Sequence, residues 1–136
     1  MKFNIITRCS RVNNLDKVRA SIFQNWDGDI TWHILFDTVR LKDISAELLN
    51  KLDKPNIKLH FVWGDGTDYL YPQMSDLAKT FDDGFVVVVD DDNIVHHHFF
   101  KEITKAIEES DGTQRVFVVN QIVGGKDFTG LDIREA

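Results

Sequence analysis

Cysteine and long apolar runs are scarce in this chain of 136 residues, and each shortage excludes a class of protein. Cys9 is the only cysteine, so an intrachain disulfide is impossible and a reducing, cytoplasmic compartment is the expected location. No apolar stretch reaches the length of a membrane-spanning helix, and Arg8 and Arg11 interrupt the apolar segment behind Met1. We therefore expect neither a membrane segment nor a signal peptide.

Positive charge is also in short supply. The chain has 16 Lys and Arg against 22 Asp and Glu, which gives a formal net charge of −6. This surplus of negative charge argues against a general nucleic-acid or membrane-surface binder, although it permits a local basic pocket. The apolar share of 43% is enough for a proper core, so we expect a single domain over residues 1–136.

Apolar segments alternate along the chain between the period of a strand and the period of a helix. Strands are predicted at residues 3–6, 32–36, 57–63, 85–89 and 115–119. The helices between them have apolar stripes at residues 15–22, 48–52, 70–81 and 99–107, with Asn14 and Ser45 as N-caps of the first two. This order predicts an α/β, Rossmann-like fold, with a mainly parallel sheet and helices on both faces.

Three consecutive aspartates, Asp90, Asp91 and Asp92, directly follow the apolar run 85–89. Such a run is typical of a buried central strand. Carboxylates clustered at its tip repel one another unless a cation lies among them. A hard divalent cation that prefers carboxylate and phosphate oxygens fits this place, whereas the alternative is a solvated acidic turn.

Polar residues follow the other predicted strands as well. In chain order, these tips carry Thr7, Arg8 and Arg11, then Asp37, then residues 64–67, and finally residues 120–121. The carboxyl ends of parallel strands meet at one edge of a sheet, so we expect these groups to lie together. Their mixture of cations, hydroxyls and carboxylates suits a nucleoside diphosphate held through a metal. For the two arginines, surface salt bridging is an equal alternative.

This arrangement resembles the donor-binding half of GT-A type glycosyltransferases, most closely the small virus-encoded and bacterial members that are family-2-like. The resemblance is carried by residues 4–11, 32–38 and 86–93. It implies the fold of nucleotide-diphospho-sugar transferases and a nucleoside-diphosphate sugar as the donor, by family habit a UDP-sugar. The acceptor, a glycan or another molecule, stays open, as does the choice between inversion and retention.

The resemblance also implies roles for residues of the first two strand tips. Thr7, Arg8 and Arg11 match the loop that lines the nucleotide pocket in the family. Asp37 matches the acidic residue after the second strand, which commonly recognises the base. These four residues are therefore candidate contacts to the nucleotide sugar.

Asp90 and Asp92 match the Asp-x-Asp pair of the family. The resemblance implies that Asp92, together with Asp90, binds Mn²⁺ or Mg²⁺, and that Asp90 and Asp91 contact the donor. The metal would bridge the two phosphates and stabilise the negative charge that develops on the departing diphosphate.

Family members continue past the fifth strand into an acceptor-binding half, which supplies a catalytic base in inverting members. This sequence ends at Ala136, so the expected fold is truncated at the acceptor side. A second copy or a partner chain would then complete the acceptor site, or the chain is a non-catalytic or truncated nucleotide-sugar-binding module. Asp127, in the last polar loop, is the one candidate for a base.

A Mg²⁺-dependent phosphohydrolase of the haloacid dehalogenase type is a further alternative, because that family also places Asp-x-Asp after a strand. There, the motif lies on the first strand and Thr or Val stands two positions beyond the second aspartate. In this sequence the motif follows the fourth predicted strand, and Asn93 and Ile94 follow Asp92. Both differences disfavour the phosphohydrolase.

Overall fold

The computed structural model describes residues 1–24, 26–41, 43–110, 117–119 and 133–135. Its elements are, in chain order, β1 (Lys2–Cys9), α1 (Leu15–Phe23), β2 (Asp29–Asp37), α2 (Ala46–Lys51), β3 (Ile57–Val62), α3 (Tyr71–Ala78), β4 (Phe85–Val88), α4 (Phe99–Glu109), β5 (Phe117–Val119) and β6 (Ile133–Glu135). The predicted alternation of strands and helices is confirmed as far as β5, whereas β6 was not predicted.

The first four strands form one sheet in the order β3-β2-β1-β4, and all neighbours are parallel. In the register of this sheet, Ile5 of β1 lies between Trp32 of β2 and Val87 of β4. The carboxyl ends of the strands therefore meet at one edge, as predicted for an α/β fold of this topology.

The prediction that the fourth strand is a buried central strand is wrong. Within the described residues, β4 lies at the edge of the sheet and pairs with β1. Phe85 and Val87 pack against the core on one face, whereas Val86 and Val88 on the other face are 44% and 50% exposed. An apolar run has no period, so it does not distinguish a strand covered on one face from one covered on both.

The fifth strand also differs from its prediction. Residues 117–119 form β5, but this strand pairs antiparallel with β6 in a separate two-stranded sheet instead of extending the parallel sheet. The first two residues of the predicted strand, 115–116, lie outside the described part of the chain, as do residues 120–121 at its tip. Side-chain pattern predicts that a strand exists, but not which strand it pairs with.

Helices α1, α2 and α4 cover one face of the sheet and enclose the main core. The fully buried side chains of this core include Phe3, Ile5, Leu15, Val18, Ile22, Trp32, Ile34, Phe36 and Leu52. Helix α4 adds Phe100, whose ring centroid lies 5.2 Å from that of Phe3. Burial of this many large apolar side chains is the main stabilising contribution to the fold.

Helix α3 covers the other face with a much smaller cluster. Its buried members are Ile6, Leu35 and Leu70. Two histidines of neighbouring strands share this face, and the Nδ1 atom of His33 lies 3.0 Å from the Nε2 atom of His60. Helices therefore lie on both faces of the sheet, as predicted.

The predicted caps are confirmed in part. The Oγ atom of Ser45 accepts a hydrogen bond from the Leu48 N–H at 3.1 Å, so Ser45 caps α2, which ends before Pro55. Asn14 precedes α1, but its side chain forms no capping hydrogen bond. None of the helices in the described ranges is both long and apolar enough to cross a bilayer.

Candidate functional site

A polar pocket of about 220 Å³ lies at the carboxyl edge of the parallel sheet. It is lined by Arg8, Cys9, Ser10, Arg11, Asp37, Arg40, Tyr69, Leu70, Asp90, Asp91 and Asp92. These residues come from the ends of β1, β2 and β4 and from the segment between β3 and α3. The topology therefore brings together charged groups that are more than 80 residues apart in the chain, such as Arg8 and Asp90.

Asp91 fastens the end of β4 to the loop after β1. Its Oδ2 atom accepts hydrogen bonds from the backbone N–H groups of Ser10 and Arg11, both at 3.0 Å. Its Oδ1 atom accepts a third from Arg11 Nη2 at 3.1 Å, and the side chain is only 6% exposed. These three donors occupy the buried carboxylate and compensate its loss of hydration.

Asp90 and Asp92 differ from Asp91 because their side chains are 52% and 45% exposed. Asp90 Oδ1 lies 3.4 Å from Arg8 Nη2, and Asp92 Oδ2 lies 3.0 Å from Arg11 Nη2. Each half-exposed carboxylate in the pocket thus has a guanidinium partner and keeps oxygen lone pairs accessible.

Arg8 is held from several sides. Its Nη1 atom donates to the carbonyl oxygen of Tyr69 at 3.2 Å, and its guanidinium carbon lies 4.1 Å from the ring centroid of Tyr71. The side chain is 18% exposed, and its Nε atom has no hydrogen-bond partner within the described ranges. Arg8 is therefore a fixed cation that still has an unused donor.

Arg40 forms the other side of the pocket with Asp37. The buried carboxylate of Asp37 accepts hydrogen bonds from the N–H groups of Val39 and Arg40, at 3.2 and 3.3 Å. Arg40 Nε lies 3.5 Å from Asp37 Oδ2, while its Nη2 donates to the Gly66 carbonyl oxygen at 2.6 Å. The guanidinium also stacks over the ring of Tyr69, 4.6 Å from its centroid.

The segment before α3 is strained where it meets the pocket. Tyr69 and Leu70 have φ angles of 51° and 59°, in the left-handed region that side chains other than glycine disfavour. Leu70 is 1% exposed and packs with Ile6 and Leu35, so its burial offsets the strain. This conformation places the Tyr69 carbonyl against Arg8 and the Tyr69 ring against Arg40.

Two groups in the pocket have shifted pKa values. Burial, with a smaller contribution from the nearby charge of Asp91, raises the pKa of the Cys9 thiol to about 12, so the thiol stays neutral and its Sγ donates to the Arg11 carbonyl oxygen. Hydrogen bonding to Asp91, followed by its charge and that of Asp92, raises the pKa of Arg11. The pocket therefore retains the arginine cation and offers no thiolate nucleophile near neutral pH.

The structure brings most of the predicted site residues together. Those lining the pocket are Arg8, Arg11, Asp37, Asp90, Asp91 and Asp92. Thr7 lies instead in the core, where its Oγ1 accepts a hydrogen bond from Trp32 Nε1 at 2.9 Å. Asp127 lies outside the described residues, so its predicted role as a base is untested.

Sequence reasoning missed Arg40, Cys9 and Ser10 as parts of the pocket. Arg40 follows Asp37 by three residues, and this Asp-x-x-Arg spacing after a strand is a signal that could have found it. The contribution of Ser10 is its backbone N–H, which no side-chain pattern reports.

The carboxylates of the pocket fit a hard cation that takes part of its coordination from a ligand. Within the described ranges, no set of three or more His, Cys, Asp or Glu side chains is arranged to hold a metal by itself. Asp90 and Asp92 supply two accessible carboxylates, and Mg²⁺-type sites commonly use one or two of these together with substrate phosphates. These two carboxylates are therefore too few to hold such a cation by themselves, and it would take further oxygen ligands from water or a bound molecule.

The fold resembles solved structures of TarS from S. aureus, a glycosyltransferase. A crystal structure of TarS 1-349 superposes with a TM-score of 0.64 at 20% identity, covering 80% of this chain and 33% of that one. A second crystal structure of TarS gives a TM-score of 0.63 at 18% identity, covering 96% of this chain and 24% of that one. This chain thus spans about a third and a quarter of the two TarS chains.

No protein-family model matches the chain, and a search of curated proteins by sequence finds no match. The structural likeness nevertheless shows that the chain has a GT-A-like α/β fold, as predicted. At 20% identity the likeness is one of fold, so the chemistry of the pocket has to be argued from its own residues.

Proposed function

We propose that this chain binds a nucleoside-diphosphate sugar through a divalent metal and forms the donor-binding part of a glycosyltransferase. The observation that supports this function is one pocket at the carboxyl edge of a GT-A-like sheet. There, two half-exposed carboxylates, Asp90 and Asp92, lie among the guanidinium groups of Arg8, Arg11 and Arg40. A diphosphate with its metal needs both kinds of group.

In this proposal the arginines bind the diphosphate and the carboxylates hold the cation. Arg8 and Arg11 donate to phosphate oxygens, because a guanidinium matches a phosphate with two parallel hydrogen bonds. Asp92 and Asp90 hold Mn²⁺ or Mg²⁺, and the metal, when bound, stabilises the negative charge of the departing diphosphate. Asp91 keeps the loop of Arg11 in place, because its carboxylate accepts hydrogen bonds from the backbone N–H groups of Ser10 and Arg11.

We assign the nucleobase of the donor to the side of the pocket formed by Asp37 and Arg40. A carboxylate next to a guanidinium offers an acceptor beside donors, and uracil presents an N–H between two carbonyl oxygens. The contacts between Asp37 and Arg40 hold this pair side by side, and Tyr69 lies under the guanidinium. This arrangement favours a UDP-sugar over an adenine nucleotide, whose ring edge lacks the two carbonyl groups.

Transfer of the sugar also requires an acceptor site and, in an inverting reaction, a base. We propose that a second copy or a partner chain completes the acceptor side. Among the described residues, every carboxylate that lines the pocket already accepts from an arginine or a backbone N–H. The acceptor is a glycan or another hydroxyl-bearing molecule.

Calorimetric titration with UDP, with and without MnCl₂, tests the metal-bridged site. We expect UDP to bind about 10- to 100-fold more tightly with Mn²⁺, and Asp92→Asn to remove that difference, because the variant loses a ligand oxygen charge. Asp16→Asn is the matched control, since Asp16 is 42% exposed and pairs with Arg19 on α1. Equal UDP affinity in both conditions, or no binding in either, would rule out the metal bridge.

A non-catalytic nucleotide-sugar-binding module is the second candidate. It is favoured because, among the described residues, each pocket carboxylate already forms an ion pair with an arginine, and a carboxylate that took a proton from the acceptor would weaken that pair. Release of sugar from a UDP-sugar, by transfer or hydrolysis, separates the two candidates. Tight UDP binding without any release would support the module.

A further inference from the structure

Each half-exposed acid of the pocket is already paired with a cation of the chain itself. Arg11 Nη2 lies between Asp92 Oδ2 at 3.0 Å and Asp91 Oδ1 at 3.1 Å. A divalent cation at Asp92 would have to share these oxygens with a guanidinium of the same sign, and like charges this close repel strongly. The ion pair therefore competes with metal binding.

The same ion pair also competes with diphosphate binding. Arg11 Nη2 has two hydrogens and donates to both Asp91 and Asp92, so this nitrogen can donate to a phosphate only by giving up one of the two carboxylates. A ligand that carries both a phosphate and a metal replaces each broken partner at once. The arginine then gains phosphate oxygens, while the carboxylate gains the cation.

Arg11 is free to make this exchange, whereas Arg8 is not. The Arg11 side chain is 64% exposed, and its Nη2 contacts are the carboxylates of Asp91 and Asp92. Arg8 is 18% exposed and is held by Tyr69 and Tyr71 as well as by Asp90. The backbone of Arg11 stays anchored through the Oδ2 atom of Asp91, so only its side chain has to move.

We propose that Arg11 is a displaceable internal counter-ion that occupies the cation position at Asp92 until a diphosphate draws its side chain away. This inference rests on the proposed function, because it concerns the same pocket. Because Arg11 must leave Asp92 before a metal binds there, the binding of the metal and of the diphosphate would depend on each other even without the direct contact between the two ligands. Coupling between two ligands of this kind is reciprocal, so each tightens the other by the same factor.

Titration of MnCl₂ alone into the chain tests the exchange without any nucleotide. We expect Arg11→Gln to bind Mn²⁺ about fivefold more tightly than the unmodified chain, because an exposed ion pair no longer has to be broken. The same variant should bind UDP about tenfold more weakly in the presence of Mn²⁺, since the phosphate loses its charged donor. Tighter binding of Mn²⁺ together with weaker binding of UDP in the same variant would identify the exchange.

Arg40→Gln is the matched control, because it removes the same charge from the same pocket. Its carboxylate partner is Asp37, so we expect less than about a twofold change in Mn²⁺ affinity from long-range repulsion, which salt screens. Equal tightening in both variants would overturn the exchange, since net charge alone would then account for it. Unchanged or weaker Mn²⁺ binding by Arg11→Gln would overturn it as well.

The two proposals fail in different ways. If the unmodified chain binds no UDP with Mn²⁺, the proposed function fails, whatever the variants do. If UDP binding depends on Mn²⁺ but Arg11→Gln leaves the affinity for Mn²⁺ alone unchanged, only the counter-ion role fails.

Discussion

The two faces of the parallel sheet are built differently, and the site depends on both. The face under α1, α2 and α4 is dry and large, with Phe3, Trp32 and Phe36 fully buried. The face under α3 buries three apolar side chains, contains the polar His33–His60 pair and leaves Val86 and Val88 half exposed. Most of the stability of the fold therefore comes from the first face.

Each face contributes a different part of the pocket. The large face holds β1 and β4 in register, and the ends of these strands lead to Arg11 and Asp91. The small face anchors Leu70, which holds Tyr69 against Arg8 and Arg40. Truncation of the large face near the start of β1, where Phe100 packs on Phe3, should therefore lower stability alone, because the pocket lies at the other end of the strands. Truncation of the small face at Leu70 should also change ligand binding.

Phe100→Ala should have the largest effect on stability. Phe100 is 2% exposed, and its ring contacts Phe3 and Trp26 in the large core. We expect a loss of about 3–5 kcal/mol in the free energy of unfolding, measured with urea, because the cavity cannot collapse fully. The affinity of the folded protein for UDP with Mn²⁺ should stay unchanged. Phe99→Ala, at a partly buried neighbour, is the control and should cost less.

Leu70→Ala should lower the free energy of unfolding less than Phe100→Ala does, but it should weaken ligand binding. We expect about 2–3 kcal/mol of destabilisation, because a buried leucine is truncated on the face with the smaller core. Loss of its burial releases the left-handed conformation of residues 69–70, so the affinity for UDP with Mn²⁺ should fall. Leu77→Ala, on α3 at the same face, is the control. Unchanged affinity of the Leu70 variant would contradict the role of the small face in positioning Tyr69.

Gly84→Ala tests how firmly the edge strand β4 is attached. Gly84 has a φ angle of 89°, and an added Cβ would lie 2.5 Å from the Lys2 carbonyl oxygen. We expect a loss of about 2 kcal/mol, from backbone strain and from displacement of the start of β1. Gly66→Ala has a similar φ angle of 84°, but its Cβ would have an ordinary contact of 3.6 Å with Val39. A Gly66 variant that is as unstable as the Gly84 variant would contradict the role of the backbone clash.

The smallest effect concerns the histidines of the small face. Burial, followed by the charges of His60, Lys58 and Lys2, lowers the pKa of His33 from 6.5 to about 4. The unfolded chain therefore binds the proton first, and stability present above pH 6.5 is lost as the pH falls towards 4. Allowing for its partial exposure to solvent, we expect about 1 kcal/mol over this interval.

Urea unfolding at several pH values measures this loss. His33→Gln should remove the largest single part of the pH dependence that the two histidines cause between 6.5 and 4. His60→Gln should remove a smaller part, because burial lowers the pKa of His60 as well. A slope that is unchanged in His33→Gln would place the responsible group elsewhere.

Local patterns in the sequence were enough to predict the elements of the fold as far as β5, whereas β6 was not predicted. The helix stripes and the Ser45 cap depend on neighbours within one or two turns, and both are confirmed. The position of β4 at the edge of the sheet, next to β1, depends on the direction in which the chain crosses the sheet, and an apolar run does not indicate that direction.

The pocket was predictable to the extent that its residues follow strands. The first strand was predicted to end at residue 6, but β1 continues to Cys9, and alternation along the strand turns Thr7 into the core. Arg40 has one local contact, with Asp37, whereas its contacts with Gly66 and Tyr69 lie in a segment more than 25 residues away and are not visible in a local pattern. The burial of Asp91 between two half-exposed aspartates likewise could not be predicted, because it depends on backbone N–H groups of Ser10 and Arg11 that lie about 80 positions away.

The bond from Ser10 to Asp91 spans 81 positions of the chain. During synthesis the loop after β1 therefore emerges long before its partner, and its two N–H groups remain hydrated until the chain has grown past Asp91. Closing a loop of this length is entropically unfavourable until the intervening strands and helices have packed. We therefore expect the contact between Asp91 and the loop after β1 to be among the last to form in a newly made chain.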